Sequence, residues 1–116
     1  MNPWNATTPI YRQLADRLTG ALLAGDPAEG EAMPSVRTLA GHYLINPLTV
    51  GRALQVLVDD GLVESRRGVG MYVQRGARAR LKRSERQRFM TQEWPALRAR
   101  LHHLGIGADE LDWKIR

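Results

Sequence analysis

The side chains of this 116-residue chain that could do chemistry are three histidines and a group of arginines. His102 and His103 are neighbours that face different directions on a helix, His42 belongs to another element, and no acidic or thiol spacing suggests a zinc site. The chain has no cysteine, no glycine-rich phosphate loop after a strand and no serine elbow. We therefore expect no catalytic residue, no metal and no cofactor, and a protein that is not an enzyme.

The arginines are concentrated in the middle of the chain. Residues 61–90 carry nine basic and two acidic side chains, whereas residues 1–60 carry four and six, and residues 91–116 carry four of each. Such a block is either a solvated face or a surface for an anionic polymer. The secondary structure predicted around these side chains distinguishes a solvated face from a polymer-binding surface.

Three helices precede the basic block. Thr8 as N-cap and Pro9 at the first helical position predict the start of the first helix, and Ser35 predicts the N-cap of the second. Asn46 and Pro47 restart the chain as a third helix, with Gly61 at its end. Two short helices joined by a tight turn, the second with a polar outer face, form the helix-turn-helix plan that places a helix in the major groove of DNA.

A β-hairpin follows the third helix. Two β-prone runs, Leu62 to Ser65 and Met71 to Gln74, flank a turn that contains glycine. The loop 26–34 is rich in Pro and Gly, and we expect a short strand near Ala32 and Met33. The predicted fold is mostly α, with a small β-hairpin wing.

The stretch "INPLTVGRA", residues 45–53, has an unusual outer surface for a helix. Helical spacing predicts that Val50, Leu54 and Leu57 anchor the helix to the core. The residues left pointing outward are Leu48, Thr49, Gly51, Arg52 and Gln55. An arginine can make two hydrogen bonds to a guanine edge, and leucine or threonine can touch a thymine methyl group. A glycine here either relieves packing or allows close approach to a phosphate or another backbone.

These motifs together resemble a known family. The segments "PIYRQLADRLTGALLAGD" and "MPSVRTLAGHYLINPLTVGRALQVLVDDGLVESRRGVGMYV" are similar to the winged helix-turn-helix domain of GntR-type bacterial transcriptional repressors, over about residues 8–75. The tail, with "EWPALRARLHHLGIGADEL", resembles the YtrA-like subfamily, in which two C-terminal helices dimerise. The expected architecture is therefore a winged helix-turn-helix domain, 8–75, plus C-terminal dimerisation helices, 76–116.

The resemblance implies which residues contact DNA. Arg37 would reach DNA from the start of the second helix, the beginning of the third helix would contact bases or phosphates, and the wing would lie along the minor groove. The full set of expected DNA-binding residues is Ser35, Arg37, Asn46, Leu48, Thr49, Gly51, Arg52, Gln55, Arg66, Arg67, Gly68 and Gly70. The chain departs from its relatives at Leu44, where glycine is common, and at Leu48 and Gly51, where polar residues are frequent. The resemblance does not determine the operator sequence, the regulated genes, or whether the protein represses or activates transcription.

The C-terminal part predicts an interface. Residues 75–88 form a polar helical arm with seven basic side chains and one acidic one, and apolar residues then recur at steps of four and three, the spacing of a two-helix seam. Pro95 predicts a kink or break at Trp94, and "GADELDWKI" predicts a last short helix. This apolar stripe could line a small-molecule pocket. A tail this short cannot easily cover the stripe within one chain, which favours a homodimer contact. A two-fold dimer would bind a palindromic operator. The expected interface residues are Phe89, Met90, Trp94, Leu97, Leu101, Leu104, Leu111 and Ile115.

Two further expectations concern partners. The chain has no signal peptide and no apolar run of membrane-spanning length, so we expect a cytoplasmic protein with no membrane contact. An alternative function is an RNA- or protein-binding winged-helix adaptor without operator specificity. Single-stranded RNA readers stack bases on exposed aromatic rings, and the predicted outer face has none, which favours double-stranded DNA. A small-molecule effector stays unknown.

Overall fold

The computed structural model describes residues 4–115 of the chain, which form five α-helices and a two-stranded sheet. One compact unit ends at Lys82, and a second begins at Arg83. The helices and strands are α1 (Ile10–Leu23), α2 (Val36–Tyr43), α3 (Pro47–Asp59), β1 (Val63–Arg66), β2 (Gly70–Val73), α4 (Ala77–Arg88) and α5 (Trp94–His103). A π-helical segment, Phe89–Glu93, joins α4 to α5, and a 3₁₀ turn, Ala108–Glu110, follows α5.

The first unit has one hydrophobic core, built mainly where α1 and α3 pack together. Leu14 of α1 and Val50 and Leu57 of α3 are fully buried. They come from the apolar face that helical spacing predicts for each helix, because residues three and four apart lie on the same side. The polar side of α3 therefore faces outward, and the expected fold class is confirmed.

The start of each helix of the helix-turn-helix is fixed by a side-chain cap. The Ser35 hydroxyl accepts a hydrogen bond from the Thr38 amide at 3.0 Å, and the Asn46 side-chain oxygen accepts one from the Leu48 amide at 2.8 Å. These contacts satisfy backbone donors that have no partner inside the helix. Both predicted caps are thus confirmed. The expected cap at Thr8 is wrong, because Pro9 is the N-cap of α1 and makes no side-chain cap.

The turn between α2 and α3 contains a strained residue. Leu44 adopts a left-handed conformation, with φ 56° and ψ 49°, and its side chain is 89% exposed. The conformation closes α2, since the amide of Leu44 donates to the carbonyl of Ala40. This conformation destabilises a non-glycine residue by about 1–2 kcal/mol. The exposed Leu44 side chain offsets little of that free energy by packing.

Leu44→Gly is expected to raise the free energy of unfolding by up to about 1 kcal/mol. Glycine removes the left-handed strain, although its greater freedom in the unfolded chain offsets about 0.4–1 kcal/mol of the gain. Urea unfolding measures the difference. Leu44→Ala keeps a Cβ and serves as the control, with little change expected. A lower urea midpoint for Leu44→Gly than for the parent would show that Leu44 is not strained.

The hairpin forms the wing, with a third chain segment beside it. Val63 pairs with Val73 and Arg66 with Gly70, so both strands lie one residue from their predicted positions. The predicted strand near Ala32 and Met33 is a single antiparallel bridge, from Ala32 to Tyr72. Backbone hydrogen bonds from this segment to β2 fix the base of the wing against the core.

The first half of α4, residues 77–82, belongs to the winged unit. Ala77 and Leu81 are buried in its core. The Glu29 carboxylate accepts hydrogen bonds from the amides of Gly76 at 2.8 Å and Arg78 at 3.2 Å, as a cap supplied from a distant loop. The guanidinium of Arg80 donates to the carbonyl of Gly61, at the end of α3. The boundary between the units therefore lies inside α4 rather than before it.

Glu29→Gln is expected to lower stability at neutral pH and to have little effect in acid. The backbone N–H groups of Gly76 and Arg78, followed by the charges of Arg80 and Arg78, lower the pKa of Glu29 in the folded protein. A lowered folded pKa stabilises the fold above the ordinary pKa, and this stability is lost as the pH falls through the folded value. Urea unfolding at pH 7 and below pH ~3 measures it. An equal difference at both pH values would contradict the assignment.

The second unit has no hydrophobic core of its own. Within residues 83–115 no side chain is buried, and Met90 and Leu104 are about 60% exposed. The expected interruption at Pro95 is a π-helical segment rather than a break, since Arg88 and Trp94 at its two ends both keep helical backbone angles. A wider turn is one way to accommodate the carbonyls that a proline leaves without a donor.

The predicted last helix is reduced to the 3₁₀ turn. The amide of Gly107 donates to the Glu110 carboxylate at 2.8 Å, and Leu111 then takes an extended conformation. Trp113 and Ile115 are 73% and 99% exposed. A single short helix is marginal in water without apolar packing, which explains why this one ends after one turn.

The described part of the chain has neither a membrane-spanning helix nor a cluster of metal-binding side chains. None of its helices is long and apolar enough to cross a membrane. Among residues 4–115, no group of three or more histidine, cysteine or acidic side chains is arranged to hold a metal ion. His42 instead packs edge-on against Tyr43, with ring centroids 4.7 Å apart.

Candidate nucleic-acid interface

The outer side of α3 presents a continuous surface. Leu48 is 79% exposed, and Arg52 and Gln55 lie on the same side at steps of four and three residues. Thr49 and Gly51 are half-buried at its edges. The helix is held from behind by its buried leucines and valine, so the surface is rigidly attached to the core.

Two arginines of the predicted site are held against tyrosine rings. The guanidinium carbon of Arg52 lies 4.0 Å from the ring centroid of Tyr11, and that of Arg66 lies 4.1 Å from Tyr72. Such cation–π contacts contribute about 0.5–1 kcal/mol at exposed sites and hold a flexible side chain in place. Both tyrosines are half-buried. Two half-buried rings, on α1 and β2, therefore support arginines of the predicted site, and the sequence did not indicate this.

The wing and the start of α2 border one groove. Its cavity volume is about 510 Å³. Five residues of the predicted site line it, namely Ser35, Arg66, Arg67, Gly68 and Gly70. Gly68 and Gly70 have φ of +75° and +127°, so the tip of the wing needs glycine at these positions. The structure thus brings the wing residues together with Ser35.

Three polar residues of the predicted site already have partners within the chain. Ser35 is engaged by Thr38 as the cap of α2, and Asn46 caps α3. The Gln55 amide donates to the Asp59 carboxylate at 2.9 Å, one turn further along α3. Gln55 is therefore drawn toward the C-terminal end of the helix. Arg37 and Arg67 are exposed.

Gly51 is not required by the packing of this chain. A Cβ atom built on it meets no heavy atom within 4 Å. Its φ is not in the left-handed region, so the backbone does not require glycine either. Relief of packing inside the folded chain therefore does not account for Gly51.

The predicted interface residues of the second unit form an apolar groove. Its cavity volume is about 510 Å³. It is lined by Phe89, Met90, Trp94, Leu97, Leu101 and Leu111, together with Asp112 and Trp113. Leu104 and Ile115, the other two predicted interface residues, do not line it. Trp113, which belongs to the same apolar stripe, does line it.

The sequence reasoning missed Tyr11 and Tyr72 as supports for arginines. For Tyr72 a signal exists, because the hairpin register places it opposite Glu64, on the face that also carries Arg66. Tyr11 and Arg52 are 41 positions apart in the chain, on different helices. No local pattern links them.

Comparison with known proteins agrees with this geometry. Residues 10–73 match the family described as bacterial regulatory proteins, gntR family. The chain is 30% identical, over 93% of its length and 83% of the relative's, to the HTH-type transcriptional repressor YtrA of Bacillus subtilis (strain 168). A GntR family transcriptional regulator from Listeria monocytogenes superimposes with a TM-score of 0.74, at 24% identity and 92% coverage of both chains. The AraR DNA-binding domain in complex with operator ORR3 superimposes with a TM-score of 0.56, at 23% identity, over 63% of this chain and 90% of that one.

The fold, with its exposed α3 and wing, is that of a winged helix-turn-helix protein. The family match places it in the DNA-binding class. The relatives found are transcriptional regulators rather than enzymes. The chain belongs to the GntR family of bacterial regulatory proteins.

Proposed function

We propose that this protein is a homodimeric transcriptional repressor that binds a palindromic operator. Residues 46–55 enter the major groove, and the wing, residues 66–70, lies beside it in the minor groove. The second unit of each chain supplies the contact between the two copies. Expected DNA contacts are those of the predicted set, and Leu48 is expected to touch a thymine methyl group.

The observation that carries the DNA-binding part is the outer face of α3. Leu48 and Arg52 are exposed in the first two turns of the second helix of a helix-turn-helix, and fully buried residues anchor that helix to the core. This is the position from which such a helix enters the major groove. The AraR DNA-binding domain, which has a similar fold, forms a complex with operator DNA, and this supports the same kind of ligand for this chain. The similar protein YtrA of Bacillus subtilis is a transcriptional repressor, which supports repression by this protein.

The apolar face of the second unit supports the homodimer. Residues 83–115 contain no buried side chain, yet Phe89, Trp94, Leu97 and Leu101 border one groove. Exposed apolar surface of this kind is usually covered by a partner. A symmetric contact between two copies covers the same patch on each. It also provides two recognition helices for a palindromic operator.

Selection of duplexes from a random DNA pool tests the proposal. We expect enrichment of a palindrome with half-site centres about 34 Å apart, or a multiple of that distance. Affinity for the selected duplex should fall with salt, by about 0.9 in log affinity per log salt for each phosphate contact. The control is a single-stranded RNA of the same length.

Failure to select any sequence would overturn operator recognition, and salt-independent binding would contradict the phosphate contacts. RNA binding as tight as duplex binding would favour the adaptor function instead. A selected sequence without two-fold symmetry would contradict the dimeric arrangement. Transcription from a promoter that carries the selected duplex should fall when the protein is added, and a rise would contradict repression.

Gly51→Ala is expected to stabilise the protein and to weaken operator binding. Alanine is about 1 kcal/mol better than glycine inside a helix, and the added methyl group meets no atom of this chain. On the operator the methyl group would collide with a closely approaching phosphate or sugar. Thermal unfolding and fluorescence anisotropy measure the two effects. Higher stability with unchanged affinity would show that no DNA group approaches Gly51.

A further inference from the structure

We propose that Arg52 and Arg12, arranged around the ring of Tyr11, form a binding site for a backbone phosphate of DNA. This inference rests on the proposed function, and it assigns Arg52 a role there. Arg52 would fix the position of α3 on the duplex rather than read a base. Arg12 and Tyr11, which no sequence motif indicated, become part of the DNA-binding surface.

The geometry brings the three side chains together from two helices. Tyr11 lies in the first turn of α1, and Arg52 lies in the second turn of α3. The guanidinium carbon of Arg52 is 4.0 Å from the centre of the Tyr11 ring, and that of Arg12 is 5.4 Å from the same point. Tyr11 is half-buried, whereas both arginines are exposed. One supported ring therefore holds two solvent-accessible cations.

The direction of Arg52 argues against base reading. An arginine that reads guanine extends its guanidinium edge from the outer face of the recognition helix into the groove. Here the guanidinium carbon lies 4.0 Å from the ring centre of Tyr11, so the side chain contacts the neighbouring helix α1 instead of extending freely from α3. Stacking covers one face of the guanidinium but leaves the N–H groups in its plane available, and this planar fork matches a phosphate. Phosphate contacts from such positions set the register of a protein on DNA.

The electrostatics of the pair favour an anion. Neither Arg12 nor Arg52 forms an ion pair with a carboxylate anywhere in residues 4–115. Two like charges that share a ring repel each other, and a bound phosphate would relieve the repulsion while accepting charge-assisted hydrogen bonds. The ligand this arrangement fits is therefore a phosphate diester of the DNA backbone.

The wing provides an internal comparison. Arg66 makes a similar stack on Tyr72, at 4.1 Å, but Glu64 lies 3.9 Å away and reduces the local positive charge. The Tyr11 cluster has no such carboxylate partner among the described residues. Of the two tyrosine-supported arginines, Arg52 thus lies in the environment better suited to a strong phosphate contact.

The test uses the full-length protein and the duplex it selects. Arg52→Ala is expected to weaken binding by a similar factor, about 10-fold, to the selected duplex and to variants with single base pairs changed. The slope of log affinity against log salt should decrease by about 0.9. Arg12→Ala should give the same signature, and the double variant should lose less than the sum of the two. Lys114→Ala removes one charge outside the winged unit and is the control, with little change expected in affinity or in the salt slope.

The role of the ring is tested by two substitutions. Tyr11→Phe keeps the aromatic surface and should retain binding, whereas Tyr11→Leu should approach the loss seen for Arg52→Ala. Urea unfolding shows whether each variant is folded, and the arginine variants carry the test if Tyr11→Leu is not. Relaxed preference at one base pair with an unchanged salt slope in Arg52→Ala would overturn the inference in favour of base reading. Failure of the parent protein to select any duplex would instead overturn the proposed function.

Discussion

Leu97→Glu is expected to convert the proposed homodimer to a monomer and to weaken binding to a two-half-site operator by about 100-fold or more. Leu97 is 45% exposed and lines the apolar groove of the second unit. A carboxylate there would lose its hydration in the contact between copies without gaining a partner. Each winged unit would then bind its half-site alone, and the advantage of linked binding, about 10²–10⁴-fold, would be lost. Light scattering measures the mass, and anisotropy measures the affinity.

Ala99→Glu is the matched control, because it introduces the same charge on the same helix. Ala99 is two residues from Leu97, about 200° around α5, and it is exposed. This variant should stay dimeric with only a small change in affinity. If Leu97→Glu were also dimeric at micromolar concentration, the groove would not be the contact between copies. A monomeric mass for the parent protein would exclude the homodimer altogether.

Leu57→Ala is expected to lower the free energy of unfolding by about 2–5 kcal/mol. Leu57 is fully buried in the face of α3 that packs in the core. Its truncation loses the transfer free energy of the removed atoms and leaves a cavity that the surroundings fill only in part. Such a loss is a large fraction of the stability of a small domain. Urea unfolding followed by circular dichroism measures it.

Leu48→Ala gives the matched control, with the same substitution on the same helix. Leu48 is 79% exposed, so its truncation should change the free energy of unfolding by no more than about 0.5 kcal/mol. Operator affinity should fall instead, since the thymine contact proposed for Leu48 is removed. The two leucines thus separate folding from binding. Equal loss of stability in both variants would contradict the assigned faces of α3.

Features of the fold that depend on neighbouring residues could be predicted from the sequence. The caps at Ser35 and Asn46 are local, because a side chain bonds to an amide two or three residues away. The apolar face of α3 follows from helical spacing alone. The length of the last helix could not be predicted in this way. Its first turn carries good local signals, but a short helix persists only when it packs, and Leu111 leaves the helical conformation.

Contacts between distant segments could not be predicted. The stack of Arg52 on Tyr11 joins two helices whose angle and separation are set by the whole core. The capping of α4 by Glu29 spans 47 residues, and no motif marks Glu29 as a helix cap. The left-handed conformation of Leu44 could not be predicted either, because this conformation is usually adopted by glycine. Geometry imposed by the tertiary fold overrides local preference at each of these places.

The burial of Ala77 and Leu81 of α4 determines which part of the chain contains a complete core. A fragment cut where the hairpin ends, after Val73, would lack Ala77 and Leu81, and it would expose the core that these side chains cover. It would also leave the Glu29 carboxylate without the amides that it caps. The compact unit that contains the winged helix-turn-helix therefore extends to Lys82, and the family match that ends at residue 73 underestimates its length. Family boundaries drawn by similarity and folding boundaries drawn by burial are different quantities in this protein.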